Sequence, residues 1–315
     1  MTKRRYGFHS MTKMARSNRN GILAIDAGGT YFKAVLFDGQ GMPVADSFEQ
    51  LSVAQASTAD EVVQVYAAII RKAFEYAAAS GFGVSGIGVS TPGPFDYQRG
   101  IYLMKHKFPF LYGVNLTEAI TKVMPELASV PVRFRHDANS FLAGEMWQGA
   151  AQGLTRAGGV TLGTGVGVAC CIDDVFLTNE LGSPAPEVSV WNKPYRDGIC
   201  EDYVSGRALV KKYQVNHPDY PSASGAKGLA EAAKAGDNDA MEVFKELGAD
   251  LGTILLPWCE RFKPQAIIFG GQISRNFELF APSLRQFIDK TECRPKLAAS
   301  QLMENAAFYG VVSLF

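Results

Sequence analysis

The sequence has few cysteines, no long hydrophobic run and no excess of either charge. Its five cysteines (170, 171, 200, 259 and 293) are odd in number and form no Cys-x-x-Cys pair, which excludes a disulfide framework or a zinc finger and fits a reducing, cytoplasmic compartment. Each reads as a small buried apolar side chain. The longest uncharged stretch, 76–95, is rich in Gly, Ser and Pro, so no membrane span is expected, and the N-terminus lacks the apolar region of a signal peptide. Thirty-one basic and thirty-one acidic residues cancel, which gives no steering toward nucleic acid or an anionic membrane. Residues 1–20 carry six Lys/Arg and no acid; they read as a disordered basic leader, too short for a helix-turn-helix.

What the chain does have is 47% hydrophobic residues over 315 positions, enough for two domains with substantial cores. It is organised around GILAIDAGGTYFKAVLF, residues 21–37. An apolar run ends on Asp26, turns through Ala27, Gly28, Gly29 and Thr30, and resumes at Phe32, the pattern of a hairpin. Two adjacent glycines permit positive φ and clear the tip, so that backbone N–H groups converge on an anion while Thr30 adds a hydroxyl. Asp26 would repel a phosphate unless a divalent cation lay between them, so the stretch predicts phosphate plus Mg²⁺ held through oxygen and water. Read alone, it is also an ordinary tight hairpin with a capping Asp.

Further along, 44–53 supplies a third strand and a helix covers 61–79, beginning near Ser57 and stopping at Gly81. Ile87 and Val89 mark a buried strand running into Thr91-Pro-Gly-Pro94, where an open sheet places ligand contacts. A short helix (116–124) and a strand (130–134) lead to His136-Asp137-Ala138-Asn139, ahead of a helix over 141–149. Asp137 alone reads as an N-cap. Residues 158–172, GGVTLGTGVGVACCI, repeat the opening design with a Gly163-Thr164-Gly165 tip, which suggests two related halves facing each other across a cleft. No helix follows these glycines, so a dinucleotide fingerprint is excluded. Residues 179–202 read as one irregular loop whose Glu187 and Glu201 are acceptors for ligand hydroxyls or, as the bland alternative, solvated charge. Helices follow over 226–235 and 239–256, the latter with Pro257 at its far end. A buried strand, 266–269, then meets Gly270, Gly271 and Gln272, which suits close approach of an adenine. Residues 305–315 form a closing helix.

The order of these signals resembles the ROK family of sugar kinases and sugar-responsive repressors, within the actin and hexokinase-like superfamily. The match runs from Gly21 to Phe315 and is densest in IDAGGTYFKAVLFD, GVSTPGPFD, HDANSFLAGE, LGTGVG, EDYVSGRAL and LAEAAKAGDNDAMEVFKELGADLGTILLPWCERFKPQAIIFGGQIS. It implies an α/β fold of the two-domain, ribonuclease H-like (actin-like ATPase) type with an interdomain cleft. The expected division is 21–115 plus 300–315 as the N-terminal phosphate-1 domain and 116–299 as the C-terminal domain. The implied activity is ATP- and Mg-dependent phosphotransfer to a hydroxyl of a sugar or amino sugar, with Asp137 as general base. Asp26 would hold Mg²⁺ through water. Gly28, Gly29, Thr30, Lys33, Gly163, Thr164 and Gly165 would contact the phosphates, and Gly270, Gly271 and Gln272 would border the adenosine. Gly93, Lys107, His136, Asn139, Glu187 and Glu201 fall at sugar-side positions. A homodimer is implied by the resemblance alone.

The chain also departs from the family pattern. Members carry Glu-x-Gly-His and a Cys-x-Cys-Gly-x-x-Gly-Cys-x-Glu zinc loop; here the first reads Glu187-Val-Ser-Val190 and the second shrinks to Asp197-Gly-Ile-Cys200-Glu201. One thiol without a nearby His makes no tetrahedral site, so zinc is expected to be absent. His136 stands where kinases commonly have Asn, Lys107 near an expected sugar-binding Asn, and Val190 would add an apolar wall to the pocket. These changes move the expected acceptor away from glucose. The rival readings are a catalytically silent sugar-binding protein and a sugar-responsive regulator, the latter normally carrying an N-terminal winged helix. Retention of Asp26, both glycine tips and Asp137 favours the kinase.

Overall fold

The computed structural model describes residues 20–105 and 108–315, so residues 1–19 of the basic leader and Lys107 lie outside the described residues, while Asn20 opens the first strand. Packing divides the described chain into a first unit, 20–147 with 178–183 and 305–315, and a second unit, 148–177 with 184–304.

In the first unit, β1 (Asn20–Ala27) and β2 (Tyr31–Phe37) form the antiparallel hairpin read from the sequence, with Ile22 opposite Phe37 and Ala27 opposite Phe32. The third strand, β3 (Glu49–Ser52), is shorter than expected. Asp46 takes a left-handed φ of 57°, and Ser47 holds the turn by accepting from Leu36 N–H at 3.1 Å and donating to Val44 O at 2.7 Å. Helix α1 (Ala59–Ala79) opens with a capping box between Thr58 and Glu61. After it come β4 (Gly83–Thr91), the two-residue strands β5 (Phe95–Asp96) and β6 (Ile101–Tyr102), α2 (Leu116–Val123), β7 (Val132–His136) and α3 (Asp137–Gln148). The sheet order is β3-β2-β1-β4-β7, with β4 parallel to β1 and β7 parallel to β4. The domain boundary placed after residue 115 therefore falls after Trp147, because β7 is hydrogen-bonded along β4 and carries α3 with it.

The second unit repeats this topology. β8 (Arg156–Leu162) and β9 (Val166–Ile172) form a hairpin, β10 (Val175–Phe176) lies on its edge, and β13 (Ala266–Gly270) and β14 (Lys296–Ala299) extend the sheet in parallel, in the order β10-β9-β8-β13-β14. Between β10 and β13 run the small hairpin β11 (Pro194–Tyr195) and β12 (Gly198–Ile199), then α4 (Glu201–Val204), α5 (Gly206–Gln214), α6 (Gly225–Lys234) and α7 (Asn238–Phe262). Helix α7 passes through Pro257 instead of ending there. Proline removes one donor from the ladder, but Leu255, Trp258, Cys259 and Phe262 are buried around it and Trp258 donates to Val188 O at 3.1 Å. Helix α8 (Phe277–Ile288) completes the core of this unit.

The last helix, α9 (Ala306–Val312), returns to the first unit. Strand alternation splits β1 between two clusters: Leu23 and Ile25 pack with Val62, Tyr66 and Ile69 of α1, whereas Ile22 and Ala24 pack with Phe308, Val311 and Val312 of α9. Helices α3 and α9 touch backbone to backbone, since a Cβ on Gly144 would lie 2.0 Å from Ala306 O and one on Gly310 would lie 1.8 Å from Ser140 O. Four of the five cysteines are buried and Cys293 is partly so. Burial pushes the thiols of Cys170 and Cys259 up to about 12. No helix among the described residues is long and apolar enough to cross a membrane.

Candidate functional site

β1, β4 and β7 run parallel, so their C-terminal ends meet on one edge of the first sheet, where open α/β sheets gather ligand-binding groups. The register sets Asp26 beside Ser90 and Thr91 beside His136, and Asp137 follows as the first residue of α3. Burial pushes the Asp26 carboxyl up to about 6, with the negative charge of Asp137 adding to the shift and Ser90 and Lys33 opposing it. The Ser90 hydroxyl is fully buried and has no hydrogen-bond partner within contact distance; it stands near enough to favour the Asp26 anion without closing a bond. An under-compensated carboxylate beside an orphaned hydroxyl fits a divalent cation held through one carboxylate and waters.

Asp137 is half exposed; its Oδ1 lies 2.9 Å from His136 Nδ1 and accepts from Ala138 N–H at 2.7 Å. Gly93 lets neighbours close around this edge: a Cβ there would lie 3.2 Å from Ser183 Oγ and 3.5 Å from His136 Cδ2. Asn139 is only 2% exposed and its amide donates to Gly182 O at 3.3 Å. It holds the 178–183 segment through that amide, while its Oδ1 is buried with no hydrogen-bond partner. At the β1–β2 tip neither Gly28 nor Gly29 takes a positive φ, so the turn does not use the left-handed freedom expected of them. Gly28 N–H closes the turn on Tyr31 O at 3.1 Å, and a Cβ on Gly29 would meet nothing within 4 Å. Thr30 is exposed beside it, and Lys33 pairs with Asp26 across the hairpin.

In the second unit the Gly163–Gly165 tip is tied by Gly163 N–H to Gly165 O at 3.0 Å, and Gly206 N–H donates to Gly163 O at 2.8 Å. This tip borders a cavity of about 440 Å³ lined by Thr164, Arg207, Lys211, Lys227 and Gln272 among others. The N-termini of α5 and α6 line it through Gly206 and Gly225, and helix N-termini favour anions. Gly271 has φ 86°, and a Cβ on it would lie 2.2 Å from Leu162 O. Its glycine is thus explained by strand-end packing at the end of β13, with Gly270 as the strand's last residue.

Glu201 is differently placed from its expected role. Its Oε2 accepts from Val166 N–H at 3.2 Å, its Oε1 accepts from Arg207 at 3.1 Å, and a Cβ on Gly165 would lie 2.3 Å from Oε2. The carboxylate is engaged with the Gly163–Gly165 tip and with Arg207. Glu187 is exposed, with its backbone O accepting from Lys193 Nζ at 3.1 Å. Val190 is 3% exposed and belongs to the core, so it forms no pocket wall. Cys200 packs in the same core. Among the described residues no three His, Cys, Asp or Glu side chains gather as metal ligands.

Sequence reasoning missed Arg207, Lys211, Gly225 and Lys227, each of which looks like an ordinary amphipathic-helix residue. The available signal was position: two glycine-started helices whose first turns carry cations.

Three relatives match this arrangement. A glucokinase from Thermotoga maritima is 26% identical over 93% of this chain and 96% of its own length. A xylose repressor from Caldicellulosiruptor bescii is 23% identical over 93% of this chain and 77% of its own. The crystal structure of a ROK family glucokinase from Streptomyces griseus in complex with glucose and AMPPNP superposes with a TM-score of 0.74 at 25% identity, covering 93% of this chain and 98% of that one. The ROK family model matches residues 22–315, and with both repeated sheets, both glycine tips and the strand-end Asp137 inside that span, the chain belongs to the ROK family, with the actin-like ATPase fold.

Proposed function

We propose that the protein transfers the γ-phosphoryl group of ATP to a hydroxyl of a sugar or amino sugar, with Mg²⁺ as cofactor. The observation that carries this reading is the 440 Å³ cavity at the Gly163–Gly165 tip, where Arg207, Lys211, Lys227 and two helix N-termini favour a polyphosphate anion. Gln272 and Ile273 would border the nucleoside. In the first unit, Gly28, Gly29, Thr30 and Lys33 would meet phosphate oxygens and Asp26 would hold Mg²⁺ through water. When bound, that ion neutralises charge on the phosphates. Asp137 takes the proton of the acceptor hydroxyl as its oxygen bonds to the γ-phosphorus; the bond from that phosphorus to the β–γ bridging oxygen breaks, and ADP leaves with its electron pair. A general base of this kind contributes roughly 10²–10⁴-fold. Glu187 is the exposed carboxylate proposed to accept from the sugar's other hydroxyls. The Streptomyces griseus glucokinase, which holds glucose and AMPPNP together in its crystal structure, supports joint binding of sugar and nucleotide.

A coupled ADP-release screen across hexoses, N-acetylhexosamines, N-acetylmannosamine and acidic sugars tests the reading. Sugar-dependent ADP release is expected from the wild type. No release with any acceptor, together with no thermal stabilisation by Mg-ATP, overturns it.

A second reading, a sugar-responsive regulator, draws on the xylose-repressor relatives and predicts stabilisation by sugar alone. A homodimer remains the expected assembly, readable by light scattering.

A further inference from the structure

One face of α5 lines the cavity at the Gly163–Gly165 tip: Arg207, Lys211 and Gln214 recur at helical spacing and all border it. The cavity has two unlike ends. At one, Gly206 N–H reaches Gly163 O and a Cβ on Gly206 would lie 3.9 Å from Ala226 Cβ, so the starts of α5 and α6 meet beside the tip. At the other, about 10 Å farther along α5 than Arg207, Gln214 meets Ser222 just ahead of α6. The first end suits phosphates; the second carries an amide and a hydroxyl.

The Gln214 amide has a fixed orientation. Its nitrogen lies 2.8 Å from Tyr220 O and 3.1 Å from Ser222 Oγ. A backbone carbonyl only accepts, so the group against it is the NH₂, and its two hydrogens are spent on Tyr220 and Ser222. Oε1 is then the one polar atom that this side chain can still offer, and it is an acceptor. Ser222, having accepted from Gln214, keeps its own proton to donate. Tyr220 is itself held, its hydroxyl donating to Gly225 O at 2.9 Å and its ring standing edge-on to Tyr213 at 5.0 Å. Turning the amide over would set Oε1 against the Tyr220 carbonyl, two acceptors face to face.

We propose that Gln214 and Ser222 read the base of the phosphoryl donor and select adenine. Adenine offers an N6 amino donor beside a ring-nitrogen acceptor, whereas guanine puts the O6 acceptor at that place, as hypoxanthine does. Gln214 Oε1 accepts from N6–H, and the Ser222 hydroxyl donates to the adjacent ring nitrogen. With a 6-oxo purine, O6 meets Oε1 and neither has a proton to share. The inference deepens the phosphotransfer reading, on which it rests for the presence of a nucleotide, and names the groups that choose among nucleotides.

Calorimetric titration of the full chain with Mg-ADP, Mg-IDP and the Mg-diphosphate of purine riboside, which has no group at C6, tests it without requiring turnover. The wild type is expected to bind ADP at least about tenfold more tightly than IDP, with the purine riboside diphosphate between them. In Gln214→Leu the ADP-to-IDP ratio is expected to fall below about threefold, and in Ser222→Ala the affinity for ADP is expected to fall about threefold or more. Equal binding of ADP and IDP by the wild type, purine riboside diphosphate binding as tightly as ADP, a Gln214→Leu protein that keeps the full ratio, or unchanged ADP affinity in Ser222→Ala would each overturn the assignment and leave the phosphotransfer reading standing. The wild-type titrations decide the matter by themselves where a variant fails to fold. No binding of any of the three diphosphates would overturn this inference and the nucleotide reading of the cavity together.

Discussion

Asp250 offers the sharpest test of how the acceptor-side loop is held. It sits on α7 at 1% exposure and accepts from Tyr195 Oη at 2.8 Å, from Arg196 at 2.6 Å and from Lys212 Nζ at 2.7 Å. These donors come from the β11–β12 hairpin and from α5, so one carboxylate ties three elements together. Asp250→Ala leaves the Lys212 ammonium, 20% exposed, beside a cavity, and leaves the Tyr195 hydroxyl without its acceptor. Arg196 is 55% exposed and rehydrates readily, so its share is discounted. Removing one partner of a buried pair costs about 3–5 kcal/mol, and with that discount the low end, about 3 kcal/mol, is expected. For a unit of this size that lowers Tm by roughly 6–12 °C. The control is Glu246→Ala, which removes the exposed second partner of Lys212 at 3.3 Å and should shift stability by less than about 0.5 kcal/mol. Thermal melts of both variants, with hydrogen exchange read over residues 191–201, form the assay. An Asp250→Ala protein melting within 2 °C of wild type, or exchange unchanged over that hairpin, would refute the clasp.

Asp26 gives a pH prediction with a definite sign. Its folded carboxyl stands near 6 against an ordinary 3.8, so the folded state holds this proton more tightly than the unfolded state and Asp26 costs stability as pH rises through that window. The interval corresponds to roughly 3 kcal/mol above pH 6, so Asp26→Asn should stabilise the ligand-free protein at pH 7.5 and lose about half of that gain at pH 5. It should also lose stabilisation by Mg-ATP; equal melting of the two proteins at pH 7.5 would count against the penalty that burial places on the ionised Asp26 carboxylate. Lys211→Ala and Arg207→Ala should each raise the KM for Mg-ATP about tenfold while the sugar KM holds, as steady-state kinetics will show. Gly271→Ala should cost at least about 2 kcal/mol in denaturant unfolding, since φ 86° and the Leu162 carbonyl both oppose a Cβ.

The parts legible in the sequence were local. Both glycine-tipped hairpins, the capped helix after Ser57 and the strand-end Asp137 follow from alternation, turn residues and caps within about fifteen positions. The pairing of β7 with β4 was not legible, because parallel neighbours are chosen by contacts distant in the chain, and the domain boundary moved with it. For the same reason the sequence indicated that the family's zinc-loop residues were missing without revealing what anchors that loop: Arg196 and Asp250 lie 54 residues apart. Glu201 looked like a free acceptor until Val166 and Arg207 were found on its two oxygens. The cationic cavity stayed hidden because Arg207, Lys211 and Lys227 each occupy unremarkable helical positions, and only their convergence around Gly163 gives them a meaning.

Phosphorus NMR of the wild type and of Asp137→Asn, each incubated with Mg-ATP and the acceptor that responds in the ADP-release screen, tests phosphotransfer most directly. A new phosphomonoester resonance should grow in step with ADP for the wild type and slow by about 10²–10⁴-fold in the variant, while Mg-ATP stabilises both proteins equally. Phosphomonoester formation at the wild-type rate by Asp137→Asn would contradict the account.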